Sequence, residues 1–231
     1  MSEITKLEKK LGVKFKDHDL LVSALVHRSY INEHPDFKLD HNERLEFLGD
    51  AVLELAVTEY LYDNFSNPEG ELTNWRASLV NGDSLAEVAA TLGLEEYLLM
   101  SKGESKDKNS KARQYILANA MEAVIGAIYL EHGFKTASKF VIDNIISKLK
   151  DILEKKLYID PKSHFQEKAQ EKLGITPTYK VISSFGPDHA KVFKVGVYLD
   201  KELITSGDGS SKQEAQIAAA KAALAVKKWD K

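Results

Sequence analysis

The stretch HNERLEFLGDAVLEL at residues 41–55 carries four acidic side chains at spacings of three and four residues. An α-helix turns by about 100° per residue, so these acids fall within an arc of about 80° on one side of a helix. The acids are Glu43, Glu46, Asp50 and Glu54. The apolar residues on the opposite side are Leu45, Leu48, Val52 and Leu55. We therefore predict an amphipathic helix with an acidic stripe.

The acidic stripe is unusual because neighbouring like charges destabilise a helix by a few tenths of a kcal/mol per pair. No Lys or Arg of the stretch shares the stripe and offsets the repulsion. The residues leave two interpretations open: a solvated acidic face, or a site for a divalent cation that takes oxygen ligands. Phe47 projects close to the stripe, where a polar residue is usual, so we expect something to cover it.

A second stretch, ILANAMEAVIGAIYL at residues 116–130, places Asn119 and Glu122 three residues apart on one helix face. The rest of this stretch is apolar nearly all round, which is typical of a buried central helix. A buried Glu122 is costly without a partner, so we expect either an ion pair or a bound metal ion. Gly126 lies a turn further along the same face, where a glycine allows another backbone to approach closely.

Helical periodicity continues through most of residues 1–158. The predicted helices lie near 3–11, 18–29, 41–65, 72–80, 83–92, 112–132 and 135–156. Breaks are predicted at NPEG (67–70), at Gly93, at the polar run SKGESKDKNS (101–110) and at Gly133. This assignment leaves Glu69 in a loop.

The pattern changes after Asp160 and Pro161. A helix that ends at Gly174 is followed by three β-rich stretches, TYKVISSF, AKVFKVGVYLD and KELITSG, and then by an Ala-rich helix. We therefore predict an all-α domain at 1–156, a linker at 157–161 and a small α+β domain of α-β-β-β-α order at 162–231. Residues 160–231 carry a net charge of +3 and residues 1–159 a net charge of −6, which suggests metal chemistry beside polyanion binding.

Composition excludes several classes of function. The chain has no cysteine, which excludes disulfides, thiolate catalysis and cysteine-based zinc sites. The N-terminal residues lack the apolar core of a signal peptide, and the longest apolar run, at 123–130, is too short to cross a bilayer. We expect a cytoplasmic protein without membrane association.

HNERLEFLGDAVLEL resembles the signature motif of the ribonuclease III family, including its NERLEFLGD core. HRSYINE, EGELTNWRASLVN and ILANAMEAVIGAIYLEHGF resemble other blocks of the same family. Residues 160–231 resemble a double-stranded RNA-binding domain through FQE at 165–167, GPDHAKVF at 186–193 and GDGSSKQEAQIAAAKAAL at 207–224. The resemblance covers nearly the whole chain.

The resemblance implies a metal-binding cluster of Glu46, Asp50, Asn119 and Glu122, in which Asp50 and Glu122 are the catalytic residues. It adds Glu43 and Glu69 as further acids that line the same cleft. It also implies a homodimer in which Phe47 inserts into a socket on the second subunit. The implied cofactor is Mg²⁺, with Mn²⁺ as a substitute, and no organic cofactor is expected.

In the second domain the resemblance implies RNA contacts by Gln166, by His189 in the GPDH turn, and by Ser211 and Lys212 at the start of the last helix. Duplex RNA is recognised through 2′-hydroxyls and phosphates across successive grooves, which requires such separate contact elements. The chain departs from the pattern at Gln213 and Gln216, near positions where related domains often carry basic side chains. This departure predicts modest phosphate binding by the last helix.

The implied function is Mg²⁺-dependent endonucleolytic cleavage of double-stranded RNA to 5′-phosphate and 3′-hydroxyl ends with short 3′ overhangs. Processing of ribosomal RNA precursors and other structured transcripts is the implied role. One alternative is a double-stranded RNA-binding protein on the same fold with cleavage impaired by Asn119, because many family members carry Asp there. A structural RNA-binding subunit of a larger particle is a further alternative. The complete set of acids disfavours both.

Overall fold

The computed structural model describes residues 3–106, 110–187 and 191–229. The chain forms two compact units, Met1–Tyr158 and Ile159–Lys231, and the division falls inside the predicted linker at 157–161. The predicted fold class, a helical domain followed by a small α+β domain, is confirmed. Among the helices that the structure describes, none combines the length and the hydrophobicity that a bilayer span requires.

Unit 1 is built from helices of very different lengths. The helices are α1 (Glu3–Leu11), α2 (His18–Ser23), α3 (Arg28–Glu33), α4 (Glu43–Asn64), α5 (Glu69–Val80), α6 (Gly82–Thr91), α7 (Lys102–Lys106), α8 (Lys111–His132), α9 (Phe134–Asn144) and α10 (Leu149–Glu154). Short 3₁₀ turns at Leu94–Tyr97 and Ile146–Lys148 complete the unit. The two 22-residue helices, α4 and α8, pack against each other at its centre.

Two glycines allow the backbones of α4 and α8 to touch. A Cβ atom placed on Gly49 would lie 1.7 Å from the carbonyl oxygen of Glu122, and one placed on Gly126 would lie 2.4 Å from the carbonyl oxygen of Leu45. Neither position can hold a larger side chain without separating the helices. The predicted close approach at Gly126 is therefore confirmed, and Gly49 is its counterpart on α4.

The buried face of α4 differs from the predicted one. Leu55, which was assigned to the apolar face, is 57% exposed, whereas Leu53, Ala56 and Val57 are buried. The helix packs on α8, α9 and α5, so its buried arc is wider than one stripe and is rotated towards the acids. The acids near Gly49 therefore flank the helix contact and do not lie opposite to it.

Two predicted helices are interrupted by tertiary contacts. The helix predicted at 18–29 ends at Ser23, because backbone hydrogen bonds from Leu99 to Leu25 and from His27 to Leu99 draw the chain out of the helix. The helix predicted at 135–156 divides after Asn144 into α9, a 3₁₀ turn and α10, and this keeps Ile145 and its neighbours buried.

Two predicted breaks contain helix. Residues 102–106, inside the polar run predicted as a break, form α7. Glu69 was predicted to lie in a loop but begins α5, directly after Pro68.

Unit 2 has the predicted order of elements: α11 (Pro161–Leu173), β1 (Thr178–Phe185), β2 (Val192–Leu199), β3 (Glu202–Gly209) and α12 (Lys212–Lys227). The strands form an antiparallel sheet with β2 in the centre. The Asp160 carboxylate caps α11 by accepting a hydrogen bond from the Ser163 amide, and Gly174 ends the helix in the left-handed conformation.

One face of this sheet is covered by the helices. Gly207 and Gly209 of β3 have no room for a Cβ atom, since it would lie 2.3 and 2.4 Å from backbone nitrogens of α12. Phe165 of α11 is fully buried and stacks on Trp229. The helices are thus held tightly against the sheet, and the N-terminus of α12 has a fixed position within unit 2.

Candidate active site and RNA-binding face

The helix crossing at Gly49 and Gly126 brings the predicted metal ligands together. Glu46 and Asp50 lie one turn apart on α4, on either side of Gly49, and Asn119 and Glu122 lie on α8 where the two backbones touch. Glu46, Asn119 and Glu122 are half-buried, whereas Asp50 is exposed. The cluster therefore lies at the edge of the α4–α8 contact and opens to solvent on the side of Asp50.

The electrostatics of the cluster show that its acids repel one another. Burial, followed by the charges of Asp50 and Glu46, raises the pKa of Glu122 from 4.5 to about 7. Burial, followed by the charges of Glu43 and Asp50, raises the pKa of Glu46, and a hydrogen bond from the Asn119 side chain acts in the opposite direction. These carboxylates are destabilised as anions, so a bound cation would relieve the repulsion.

The donor set fits a hard divalent cation, because all four side chains offer oxygen ligands. In residues 3–106, 110–187 and 191–229, no ion pair neutralises Glu46, Asp50 or Glu122. Within the same ranges, no group of three or more His, Asp or Glu side chains converges closely enough to form a complete site by itself. A cation at the cluster would therefore also use the Asn119 oxygen, or oxygens from outside the protein.

Two acids of the stripe have arginine neighbours that the sequence analysis missed. An Arg28 guanidinium nitrogen lies 3.6 Å from a Glu43 carboxylate oxygen, and an Arg76 guanidinium nitrogen lies 3.9 Å from a carboxylate oxygen of Glu54. These cations come from α3 and α5, so no spacing within the 41–55 stretch could reveal them. Glu43 and Glu54 thus differ from Glu46 and Asp50, which have no such partner.

Glu69 lies away from the cluster within one chain. It is exposed in the first turn of α5, where its carboxylate accepts a hydrogen bond from the Thr73 hydroxyl at 3.0 Å. It also lines a largely apolar cavity of about 550 Å³ beside the C-terminal half of α4. The structure therefore does not join Glu69 to Glu46, Asp50 and Glu122 of the same chain.

Phe47 is 82% exposed and belongs to a strip of exposed residues along α4. The strip continues through Ala51, Leu55, Thr58 and Tyr62, at helical spacings of three and four residues. Its far end reaches the 550 Å³ cavity, which is lined by Leu61, Tyr62, Phe65 and Leu72 together with polar neighbours. A projecting aromatic side chain and an apolar cavity thus lie at opposite ends of one helix face.

Two of the predicted RNA contacts of unit 2 lie at exposed positions of its helices. Gln166 is exposed on α11, and Lys212 is exposed as the first residue of α12. Ser211 caps α12, with its hydroxyl accepting a hydrogen bond from the Glu214 amide at 3.1 Å. His189 lies outside the residues that the structure describes.

The arrangement of a helical unit with an acidic cluster and an α-β-β-β-α unit has clear counterparts among known proteins. Residues 17–149 match the family model for Ribonuclease-III-like proteins, and residues 161–227 match the model of the double-stranded RNA binding motif. These matches define the class: a helical nuclease domain followed by a double-stranded RNA-binding domain.

The relatives agree over nearly the full length. Ribonuclease 3 of Borreliella burgdorferi is 42% identical over 96% of this chain and 91% of its own, and Ribonuclease 3 of Campylobacter jejuni is 44% identical over 97% of both chains. The crystal structure of the nuclease domain of the Campylobacter jejuni enzyme is 45% identical, with a TM-score of 0.57, and covers 64% of this chain and 97% of that domain. The chain belongs to the ribonuclease III family, and the prediction of a ribonuclease III enzyme is confirmed.

Proposed function

We propose that the protein cleaves double-stranded RNA with Mg²⁺ and leaves 5′-phosphate and 3′-hydroxyl ends with short 3′ overhangs. The observation that carries this proposal is Glu122, a half-buried carboxylate whose pKa is raised to about 7 beside Asp50 and Glu46. Keeping repelling acids at a helix crossing lowers stability, and binding of a catalytic cation offsets that loss. The proposed substrates are stems of ribosomal RNA precursors and other structured transcripts, cut in the cytoplasm.

The proposed ligands of the ion are Glu46, Asp50, Asn119 and Glu122, with Mn²⁺ as a substitute for Mg²⁺. When bound, the ion supplies Lewis-acid chemistry and water activation for phosphodiester hydrolysis. The chain itself supplies position: the glycine contact fixes α4 against α8, and the charge of Asp50 acts on the carboxyl of Glu122 across this contact. No side chain acts as a nucleophile in this scheme.

We further propose that the active protein is a homodimer built on the exposed strip of α4. The nuclease domain of Campylobacter jejuni ribonuclease III has a region involved in dimer formation, and that domain is 45% identical to this chain. A two-fold axis near the middle of the strip would place two α4 helices antiparallel, so that each Phe47 meets the cavity beside Tyr62 of its partner. This arrangement removes two large apolar side chains and two apolar cavities from water.

The same two-fold arrangement assigns a place to Glu69. Because Glu69 lines the cavity, insertion of Phe47 from one protomer would bring Glu69 of the partner subunit towards Glu46 and Asp50. Glu43 and Glu69 would then border the cleft from different chains. This interpretation is compatible with the separation of Glu69 from the cluster within one chain.

Unit 2 would hold the duplex through Gln166 and His189 in successive minor grooves. Ser211 and Lys212 would bind the phosphates between them. The N-terminus of α12 presents free backbone N–H groups and the positive end of the helix dipole, and both favour an anion.

The direct test is incubation of the purified protein with a long RNA duplex, in Mg²⁺ and in EDTA. We expect short fragments with 5′-phosphate ends in Mg²⁺ and intact, bound duplex in EDTA. Binding without cleavage in Mg²⁺ would instead support the alternative of an RNA-binding protein impaired by Asn119. Equal cleavage in EDTA would contradict the proposed metal dependence.

A further inference from the structure

Lys162 on the first turn of α11 reaches across to α12. Its ammonium group donates a hydrogen bond to the side-chain oxygen of Gln216 at 2.7 Å and lies 5.3 Å from the centre of the Tyr179 ring. Both Lys162 and Gln216 are only partly exposed. The lysine is therefore held in one place by two neighbours on different elements, unlike a lysine that is free in solvent.

The positive charge of Lys162 is not neutralised by these neighbours. Gln216 carries no charge, and burial together with the nearby Asp160 raises the pKa of Tyr179 to about 12, so its hydroxyl stays protonated at neutral pH. No carboxylate in the described part of the chain forms an ion pair with Lys162. By contrast, Lys168 on the same helix pairs with Glu171 at 3.0 Å.

Lys162 also lies between the two helix surfaces that are proposed to contact RNA. Gln166 follows it by one turn on α11, and Gln216 follows Lys212 by one turn on α12, so each pair shares a helix face. The Lys162–Gln216 hydrogen bond therefore joins the face of Gln166 to the face of Lys212. An oriented, unneutralised cation at this junction is placed to meet a polyanion.

We propose that Lys162 binds a backbone phosphate of duplex RNA and that Gln216 and Tyr179 orient it. This inference rests on the proposed RNA-binding face of unit 2. It changes the expectation drawn from Gln213 and Gln216, because the cation that α12 lacks at position 216 is supplied from α11. Gln216 then positions the Lys162 side chain and is not merely a site that lacks a basic side chain.

The test measures binding of the full-length protein to a labelled RNA duplex in EDTA, as a function of salt concentration. The variants are Lys162→Met, which keeps the apolar stem, Lys162→Arg, which keeps the charge, and Lys168→Met as a matched charge loss on the same helix. A fourth variant, Gln216→Glu, places a carboxylate against the Lys162 ammonium. Thermal unfolding of each variant reports the stability of the fold.

We expect Lys162→Met to weaken binding about five- to tenfold and to reduce the slope of log affinity against log salt by about one. For Lys162→Arg and Lys168→Met, the affinity and the salt slope should stay close to the wild-type values. Gln216→Glu should weaken binding while preserving or raising the unfolding temperature, a combination that a purely structural role for Lys162 would not produce.

An unchanged salt slope in Lys162→Met, with normal binding by the wild type, would overturn the role of Lys162 alone. Unchanged binding by Gln216→Glu would also overturn the role of Lys162, even if Lys162→Met failed to fold. Absence of duplex binding by the wild type would instead contradict the proposed RNA-binding face itself.

Discussion

Glu122 combines two features that ordinarily exclude each other, a half-buried position and two acidic neighbours. Burial and the charges of Asp50 and Glu46 raise its pKa to about 7, so the carboxylate form is less favoured than in an ordinary glutamate. Asn119 lies one turn before Glu122 on the same face of α8, and as a proposed ligand it would add an oxygen without adding a fourth charge. At the scale of single residues, the acids therefore repel one another, and the proposed cation would neutralise them.

The raised pKa of Glu122 predicts how stability varies with pH in metal-free protein. In the unfolded chain this carboxyl loses its proton near the ordinary glutamate pKa of 4.5, and in the folded protein it does so near 7. The folded state binds more protons between these values, so the free energy of unfolding falls as the pH rises through this window. Glu122→Gln removes the cost of ionising this side chain in the folded state. The variant should therefore be more stable by roughly 1–2 kcal/mol at pH 8, after allowance for solvent screening.

Chemical denaturation in EDTA at pH 4.5 and pH 8 checks this prediction. The stabilisation by Glu122→Gln should be nearly absent at pH 4.5, and Mg²⁺ should stabilise the wild type but not Glu122→Gln. Glu59→Gln, which removes an exposed acid on the same α4 helix, is the control and should change little at either pH. A gain from Glu122→Gln of equal size at both pH values would rule out titration of Glu122 as its cause.

Asn119 is predicted to weaken the affinity for Mg²⁺ without abolishing it. Glu46, Asp50 and Glu122 keep three negative charges, and an amide oxygen still ligates a hard cation. We expect an active enzyme that needs more Mg²⁺ than its Asn119→Asp variant, measured by titrating Mg²⁺ against cleavage rate on one duplex. Identical titration curves would show that the charge at position 119 has no effect. Cleavage by the Asp variant alone would mean that the chain is a disabled enzyme.

At the scale of elements, the contact between α4 and α8 determines the geometry of the cluster. We predict that Gly49→Ala destabilises the protein by about 3 kcal/mol or more, because the added Cβ would lie 1.7 Å from the Glu122 carbonyl oxygen. Cleavage should fall as well, since the helices must separate where the proposed metal ligands meet. Denaturant unfolding and the cleavage assay report the two effects.

Gly70→Ala is the matched control on α5, because nothing lies within 4 Å of a Cβ placed there. It should be neutral or stabilising by up to about 1 kcal/mol. Similar stabilities for the two glycine variants would argue against a tight helix crossing.

The elements also show what sequence patterns can and cannot predict. The helical period of residues 41–65 predicts α4, because periodicity depends only on the local sequence. The buried face of α4 depends on three neighbouring helices, so the prediction that Leu55 lies on the apolar face is wrong. Arg28 reaches Glu43 only through tertiary packing, which spacing cannot encode. The start of α5 at Glu69 could have been predicted, because Pro68 followed by acids is a helix-start signal. The same residues also fit a break, which is the prediction made above.

At the scale of the molecule, the nuclease unit and the RNA-binding unit are proposed to carry different parts of the function, and the α4 strip is the proposed contact between two chains. We predict that Phe47→Ala raises the dimer dissociation constant by about a hundredfold or more. Each dimer would lose two buried phenylalanines, worth about 1.5–3 kcal/mol each. Sedimentation at micromolar concentration measures the effect.

Val226→Ala is the control for this experiment, since it removes an exposed apolar side chain from unit 2. It should leave association unchanged. A Phe47→Ala protein that sediments like the wild type would exclude this residue from the interface.

The central proposal is that the acids at the α4–α8 crossing would hold the metal ion required for RNA cleavage, while the duplex is bound mainly elsewhere. The most direct measurement compares wild type, Glu122→Gln and Glu59→Gln for cleavage of a long duplex in Mg²⁺ and for duplex binding in EDTA. We predict that Glu122→Gln slows cleavage by roughly a thousandfold or more, since several kcal/mol of transition-state stabilisation depend on the ion. Its affinity for the duplex should equal that of the wild type. Cleavage at the wild-type rate by Glu122→Gln, or a parallel loss of binding, would contradict the claim.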